Sequence, residues 1–217
     1  MENTLVTKYA TTWASLTGLN EAGLVLAAQK GDLESYNQLV ILYQDRIYNL
    51  ALRILGDEYS AEDITQNTFM TAYLNLPRFR NGSFRSWIYR IATNACYDEL
   101  RRHKRYPVLS LEHEDDAEER LLPLYDFQGR GILPEKEAER HELEQAIQMA
   151  LSQLDVDRRA AVVLVDLQEL TYQEAAQVLG IPVGTVKSRL ARGRLGLSQL
   201  LGTSSGDNQT IQSGSAA

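Results

Sequence analysis

Residues 171–200 read TYQEAAQVLGIPVGTVKSRLARGRLGLSQL and carry the clearest structural pattern of the chain. Thr171 and Glu174 have the three-residue spacing of a capping box, which predicts the start of a short helix. Gly180 is a helix-ending residue, and the turn that follows leads into a second helix predicted over 184–200. Two helices joined by a short turn that contains glycine form a helix-turn-helix.

The second helix of this motif has two different faces. At about 100° per residue, one face is apolar and is predicted to be buried; it carries Val186, Leu190, Gly193 and Leu197. Another face offers hydroxyls and guanidinium groups, from Thr185, Ser188, Arg189 and Arg192, and a flank carries Lys187 and Arg194. Arginine can bind guanine with two hydrogen bonds in the major groove, and cations on a flank can hold phosphate. The pattern predicts DNA binding, with a solvated basic hairpin as the alternative.

The rest of the chain also has helical periodicity. Asp32 can cap a helix that ends before Gly56, and Ser60 with the acidic residues that follow predicts a capping box for the next helix. A long helix is predicted from Phe84 to about Lys104, after a turn that ends in a capping serine. Further helices are expected from Pro134 and near residues 158–167. Valine and isoleucine form no alternating runs, so the sequence predicts an all-α fold.

The long helix carries a polar stripe. Arg90, Asn94, Asp98 and Arg101 fall within an arc of about 80°, and Trp87 lies in the same arc. Asparagine can read adenine, arginine can hold phosphate, and an aromatic ring can stack on an unpaired base. Two structural alternatives remain open, because the stripe could be a solvated i,i+4 ladder and the tryptophan could belong to the core.

Charge is segregated along the chain, although the net charge is −7. Residues 78–105 hold eight basic and two acidic side chains, and residues 175–202 hold four basic and no acidic ones. Between them, residues 107–140 hold ten acidic and four basic side chains. Local patches decide where a polyanion binds, so the distribution favours two cationic surfaces separated by an acidic segment.

Several classes of protein are disfavoured by what the sequence lacks. No run of eighteen apolar residues and no secretory signal pattern occurs, and the single cysteine, Cys96, allows neither a disulfide framework nor a cysteine-rich zinc site. A cytoplasmic location is expected. The common phosphate-binding, zinc-protease and serine-hydrolase motifs are absent, and His103, His113 and His141 have no matching ligand set. We therefore expect no enzyme, no metal and no cofactor.

Three quoted stretches resemble the region 2 domain of bacterial sigma factors: residues 24–57 (LVLAAQKGDLESYNQLVILYQDRIYNLALRILGD), 59–73 (YSAEDITQNTFMTAY) and 84–102 (FRSWIYRIATNACYDELRR). Residues 151–195, which begin LSQLDVDRRAAVVLVDLQEL and include the helix-turn-helix, resemble their region 4 domain. The whole resembles the two-domain extracytoplasmic-function group. The resemblance implies two small helical domains and this division: an N-terminal extension at 1–20, region 2 at 21–106, a flexible acidic linker at 107–133, region 4 at 134–202 and a disordered tail at 203–217.

By the same resemblance, the partners would be core RNA polymerase, promoter DNA and an anti-sigma factor. The polymerase-docking helix would present Asp63, Gln66 and Asn67. The −10 element would be met by Arg90, Asn94 and Asp98 on the helix and by a base-capturing loop that contains Phe79, Asn81 and Ser83. The −35 element would be read by Thr185, Lys187, Ser188, Arg189 and Arg192. The acidic linker would run toward the RNA path.

Two other classes of function remain as alternatives. A polymerase-independent helix-turn-helix regulator would bind an inverted repeat as a dimer, but the sequence offers no obvious dimerising heptad. An enzyme would need a catalytic constellation that the motifs do not supply. A chain with a net charge of −7 is also expected to bind DNA weakly by itself and strongly only within a holoenzyme.

Overall fold

The structure is a computed structural model that describes residues 21–80, 82–105 and 134–207, without the side chains of 134–141 and 203–207. Regular structure in these ranges is entirely helical, which confirms the predicted all-α class. The helices are α1 (residues 21–29), α2 (Leu33–Leu55), α3 (Glu58–Asn75), α4 (Phe84–Arg105), α5 (Pro134–Gln153), α6 (Val156–Val162), α7 (Tyr172–Leu179) and α8 (Val183–Asp207).

The N-terminal half is built around α2, α3 and α4, which pack against one another. Asp32 caps α2 by accepting a hydrogen bond from the Glu34 amide, as the sequence predicts. Gly56 ends α2 with a φ of 82°, a left-handed conformation that glycine adopts without steric cost. Fully buried side chains of α2, including Leu39 and Ile47, form the centre of this half.

The C-terminal half contains the predicted helix-turn-helix, formed by α7 and α8, which rests on α5 and α6. Helix α8 approaches α6 closely at Gly193. A Cβ atom there would lie 2.6 Å from Val162 Cγ2 and 3.2 Å from the Arg158 carbonyl oxygen. Only a residue without a side chain allows this approach, so Gly193 fixes how deeply α8 packs on its support.

Some predicted boundaries are wrong. Helix α3 begins at Glu58 and is capped by Asp57, whose carboxylate accepts from the Ser60 amide, so the predicted capping box at Ser60 does not form. The helix expected near 158–167 begins at Val156, and its last turn widens into a π-helix over Val163–Leu167. Helix α8 begins one residue earlier than predicted and extends to Asp207, past the predicted start of the tail at 203.

The two halves pack against each other, which the sequence did not predict. Helix α4 contacts α7, and α2 contacts α5, α6 and the π-helical turn. Buried apolar side chains of both halves belong to one contiguous cluster. The predicted extension at 1–20 and linker at 107–133, together with residues 208–217 of the predicted tail, lie outside the described residues, so those predictions are untested.

Candidate nucleic-acid interface

The predicted polar stripe lies on the solvent side of α4. Arg90, Asn94, Asp98 and Arg101 are all exposed, while Ile88 and Ala92 of the same helix are fully buried. The Arg101 guanidinium donates to Asp98 over 2.9 Å, and both side chains are largely exposed. An exposed ion pair of this kind contributes little to stability. Either side chain can therefore rotate toward a ligand at a low cost in free energy.

An aromatic cluster stands at the N-terminal end of the stripe. The rings of Phe79 and Trp87 have centroids 4.9 Å apart, and Phe84 lies 5.6 Å from Trp87. Trp87 is half-buried, so it contributes both to the core and to the surface, and its predicted contact with an unpaired base stays a prediction. The Gln29 side-chain amide donates to the Phe79 carbonyl over 2.6 Å, which anchors this corner to α1.

The loop before α4 supplies one further residue of the predicted set. Ser83 is exposed, and its hydroxyl oxygen accepts from the Ser86 amide over 3.2 Å, which caps α4. This hydroxyl therefore has a structural role in addition to its predicted role at the −10 element. Asn81 lies outside the described residues, so its predicted contact is untested.

Helix α3 presents a second exposed surface. Asp63, Gln66 and Asn67 all face solvent, and the Asn67 amide donates to Asp63 over 2.9 Å. On the same helix Met70 is 60% exposed and Leu74 is 70% exposed. Sequence reasoning missed these two residues, although large apolar side chains outside a buried face are a signal for protein contact. We call Asp63, Gln66, Asn67, Met70 and Leu74 the α3 surface.

The helix-turn-helix has the predicted local geometry. Thr171 and Glu174 form a complete capping box, and Gly180 ends α7 in the left-handed region with a φ of 65°. Val186 is fully buried and Leu190 nearly so, while Leu197 is half-buried, as the apolar face of α8 requires. These contacts fix the rotation of α8 and turn its polar face outward.

The predicted polar face of α8 reaches solvent. Lys187, Ser188 and Arg192 are exposed, and Thr185 and Arg189 are half-buried. The Ser188 hydroxyl donates to the Thr185 carbonyl over 3.0 Å, a weak constraint that a DNA contact can replace. The face therefore combines hydroxyl and cationic donors in one row, which is the chemistry that base edges and phosphates accept.

Three cations of α8 have partners within the protein. Arg189 Nη2 lies 2.5 Å from Asp157 Oδ2, and the ammonium of Lys187 lies 5.7 Å from the centre of the Tyr172 ring. Arg194 makes two hydrogen bonds to Asp166, through Nε over 3.0 Å and Nη2 over 2.5 Å, and this contact raises its pKa. The Arg194 guanidinium is therefore already paired with Asp166, and it would have to leave this carboxylate to bind phosphate.

Three further observations concern Cys96, possible metal ligands and membrane-spanning helices. Cys96 is fully buried, and burial raises the pKa of its thiol to about 12, so the thiol is neutral and packed. Within the described ranges, no group of three or more histidine, cysteine, aspartate or glutamate side chains is placed to hold a metal ion. No helix in these ranges is both long enough and apolar enough to cross a bilayer.

These features define a class: a two-part helical protein with a helix-turn-helix in one part and a cationic, aromatic-ended helix in the other. Comparison with known families agrees. The family described as Sigma-70 region 2 matches residues 39–106, and Sigma-70, region 4 matches residues 144–197. The chain belongs to the extracytoplasmic-function group of RNA polymerase sigma factors. Sigma factors bind core RNA polymerase and promoter DNA and are not catalytic enzymes.

Similar proteins cover most of the chain. ECF RNA polymerase sigma factor SigW of Bacillus subtilis is 39% identical over 174 residues, which are 80% of this chain and 92% of that protein. The RNA polymerase sigma-H factor of Pseudomonas aeruginosa is 35% identical over 192 residues, 86% of this chain and 96% of that protein. The alternative of a polymerase-independent regulator is not favoured by these relatives.

Solved structures give the same fold. CnrH, in complex with the cytosolic domain of CnrY, superposes with a TM-score of 0.61 at 28% identity and covers 83% of this chain and 96% of that chain. The sigma factor RpoE of Bartonella quintana, in complex with the anti-sigma factor NepR, gives a TM-score of 0.60 at 25% identity. It covers 77% of this chain and 97% of that chain.

Proposed function

We propose that this sigma factor divides promoter recognition between two halves, residues 21–106 at the −10 element and residues 134–202 at the −35 element. The observation that carries this proposal is that α4 and α8, one in each half, both turn a cationic polar face to solvent and bury the opposite face. Each half therefore offers its own DNA-binding surface. One chain with two such surfaces can contact two separate segments of a promoter.

The N-terminal surface suits a place where strands separate. Arg90, Asn94, Asp98 and Arg101 supply donors and acceptors along α4, and the Phe79–Trp87 pair supplies aromatic faces at one end. Stacking on an aromatic ring stabilises an unpaired base, and nearby arginines compensate phosphate charge. We assign the −10 element to this surface for that reason, with Asn81 and Ser83 in the adjoining loop.

The C-terminal surface suits duplex DNA. An α-helix fits the major groove of B-DNA, and the recognition helix of a helix-turn-helix contacts base edges from its N-terminal part. Thr185, Lys187, Ser188, Arg189 and Arg192 lie in the first half of α8, where such contacts occur. Arg194 lies further along and would contact phosphate only if it left Asp166.

The α3 surface is assigned to core RNA polymerase. Exposed apolar side chains next to hydrogen-bonding groups are typical of a protein contact, and Met70 and Leu74 stand beside Gln66 and Asn67 on the same helix. Substitution of Gln66 by arginine should weaken binding of the chain to core polymerase. Because the Gln66 side chain is exposed, the variant should fold normally.

An anti-sigma factor is the third proposed partner, and the cytoplasm the proposed location. Support for the partner comes from CnrH and RpoE, which are seen with the cytosolic domain of CnrY and with the anti-sigma factor NepR, respectively. Such a partner would keep the chain inactive until a stress signal releases it. The cytoplasm is proposed because a bacterial sigma factor acts on the chromosome and the RNA polymerase, which are both in that compartment.

An electrophoretic mobility shift experiment tests the proposed function. The chain alone and the chain with core RNA polymerase are titrated against promoter DNA at one fixed salt concentration. We expect weak binding by the free chain, because its net charge is −7, and tight sequence-specific binding only with polymerase present. Tight and specific binding by the free chain would contradict the proposal.

A further inference from the structure

The loop before α4 is held at its first residue by a side chain that lies 50 positions earlier in the chain. Gln29 is the last residue of α1, and it is half-buried. Its amide nitrogen donates to the Phe79 carbonyl over 2.6 Å and to the Leu76 carbonyl over 3.1 Å. A side-chain amide has two N–H donors and a carbonyl only accepts, so one nitrogen can serve both carbonyls. Gln29 therefore fixes two points of the backbone that leads into the loop.

The end of α1 is itself fixed, so it can act as a support. Val25 and Ala28 are buried in the core, each 6% exposed. Directly after Gln29 the chain turns toward α2, and the Gly31 amide donates to the Ala28 carbonyl over 3.0 Å. Because α1 is packed on the core and tied to α2 by this turn, the Gln29 side chain starts from a defined position.

The two carbonyls belong to the short segment before the loop. Leu76–Arg78 is a single 3₁₀ turn, and the Phe79 amide donates back to the Leu76 carbonyl over 3.0 Å. Phe79 has an extended backbone, with a φ of −63° and a ψ of 122°. Its carbonyl lies beyond the last hydrogen bond of the turn, and Gln29 supplies the donor for it. This bond fixes the orientation of the peptide group that follows Phe79.

The backbone bond also restrains the Phe79 ring. The centroid of this ring lies 4.9 Å from that of Trp87 and 6.2 Å from that of Phe84. Phe84 is 2% exposed and belongs to the core, whereas Phe79 and Trp87 are half-buried. The Phe79 ring is thus supported by its two aromatic neighbours, and its backbone is supported by Gln29.

The other end of the loop is held by α4. The Ser83 hydroxyl oxygen accepts from the Ser86 amide over 3.2 Å, and the Ser83 carbonyl accepts from the Trp87 amide over 3.1 Å. Phe79 and Ser83 are therefore both fixed before any DNA is bound. Ordering the contacting groups in advance lowers the entropic cost of binding.

We propose that Gln29 is a positioning residue for the −10 surface and holds Phe79 where its ring can stack on an unpaired base. This inference rests on the proposed function, in which the −10 element meets Phe79, Trp87 and the polar stripe of α4. Gln29 acts through Phe79, because its amide nitrogen already donates to two carbonyls of the protein. Its loss should therefore weaken the −10 contact and leave the −35 contact unchanged.

Fluorescence of Trp87 tests the anchoring in the free full-length chain. The chain has two tryptophans, so Trp13→Phe leaves Trp87 as the only reporter. In this background, Gln29→Met keeps the length of the side chain but cannot donate a hydrogen bond. We expect Phe79 to move away from Trp87, which should shift the Trp87 emission to longer wavelength and increase its quenching by acrylamide. Gln29→Glu, which turns a carboxylate toward the two carbonyls, should have the same effect.

Promoter opening tests the consequence for DNA. The holoenzyme is assembled from core polymerase and the full-length chain, and a promoter that the unmodified holoenzyme uses carries 2-aminopurine in its −10 element. Gln29→Met should lower the equilibrium constant for opening by about 5- to 30-fold, the range for the loss of one to two hydrogen bonds. Sequence preference at the −35 element and binding to core polymerase should not change. A variant that merely unfolded the chain would lower all three.

Tyr43→Phe is the matched control. The Tyr43 hydroxyl donates to Oε2 of Glu21 over 2.6 Å, so this variant also removes a hydrogen bond between α1 and the rest of the N-terminal half. It leaves Gln29 and the two carbonyls unchanged, and the new phenylalanine keeps the ring contact with Phe84. Trp87 quenching and promoter opening should therefore match those of the unmodified chain.

The outcomes separate the role of Gln29 from the proposed function. Unchanged opening in Gln29→Met, or an equal loss in Tyr43→Phe, would overturn the positioning role even if α4 contacts the −10 element. Increased Trp87 quenching together with weaker opening, both absent from the control, supports it. If Phe79→Ala leaves opening unchanged, the assignment of this loop to the −10 element fails. Increased Trp87 quenching in Gln29→Met would then still support the hold of Gln29 on Phe79.

Discussion

Replacing Arg189 by alanine tests the C-terminal recognition surface at its most specific group. The guanidinium can make two hydrogen bonds to guanine, a contact that contributes about 1–3 kcal/mol of discrimination against other bases. Since about 1.4 kcal/mol is a factor of ten, Arg189→Ala should reduce preference at one −35 position by about 5- to 150-fold. Preference at the other −35 positions and at the −10 element should remain.

The structure allows this effect to be separated from a loss of folding. Arg189 pairs with Asp157 at 2.5 Å, with side chains that are 27% and 43% exposed. Such a pair contributes at most about 1 kcal/mol to stability. Asp157→Asn weakens the same ion pair but keeps the guanidinium, so it should retain the base preference. Arg189→Lys keeps the positive charge but cannot form the two parallel hydrogen bonds, so it should behave like the alanine variant in specificity.

The assay is transcription by reconstituted holoenzyme from a promoter pool randomised at the −35 element, followed by sequencing of the transcribed templates. Each variant gives a preference at every position. The reasoning would be refuted if Arg189→Ala lowered transcription equally from all templates, or if Asp157→Asn reproduced its loss of preference. Either result would assign Arg189 a structural role within α6 and α8.

Three further outcomes are expected. Gly193→Ala should lower the free energy of unfolding, measured by urea titration, by about 1–3 kcal/mol. The reason is that the added Cβ would lie 2.6 Å from Val162 Cγ2. Gly184→Ala is the control, because the added Cβ would meet open space and should not destabilise the chain. Thr171→Ala should cost about 1 kcal/mol by removing the cap of α7, and an unchanged urea midpoint would contradict this role. Burial raises the pKa of Cys96 to about 12. In the unfolded chain the same thiol ionises near pH ~8.5. The folded state holds the proton more tightly, so the contribution of Cys96 to stability is complete below that pH and is lost as pH rises toward 12. Cys96→Ala should therefore reduce the fall in unfolding free energy between pH 8 and pH 10, and an identical fall in both proteins would count against the buried thiol.

Local signals in the sequence predicted most of the architecture. The capping box at Thr171 begins α7, as expected. Gly56 ends α2 and Gly180 ends α7, also as expected. Each of these signals acts on the backbone within one turn, so it can be identified from the local sequence. The apolar periodicity of α8 likewise predicted that Val186 and Leu190 would be buried. The candidate faces of α4 and α8 followed from the same periodicity, because a helix that buries one side exposes the other.

Features that depend on distant contacts were not predictable in this way. Tyr89 is fully buried, and its hydroxyl donates to Gln168 of the C-terminal half, a contact that the local sequence around Tyr89 does not indicate. Its partner Gln168 gave no signal, since a polar residue after a helix resembles any loop. The pairing of Arg194 with Asp166 joins residues 28 positions apart through the fold of the C-terminal half. Periodicity within one helix carries no information about such neighbours.

Transcription by core RNA polymerase, with and without the purified chain, can be measured on a promoter library randomised over both elements. If the chain divides promoter recognition between its halves, new start sites should appear that depend on the chain and on two selected DNA segments at a fixed spacing. Substitutions on α4 should change the sequence preference at the −10 element. Substitutions on α8 should change the preference at the −35 element. Failure of the core enzyme to bind the chain, or start sites that depend on a single segment, would contradict this division of recognition.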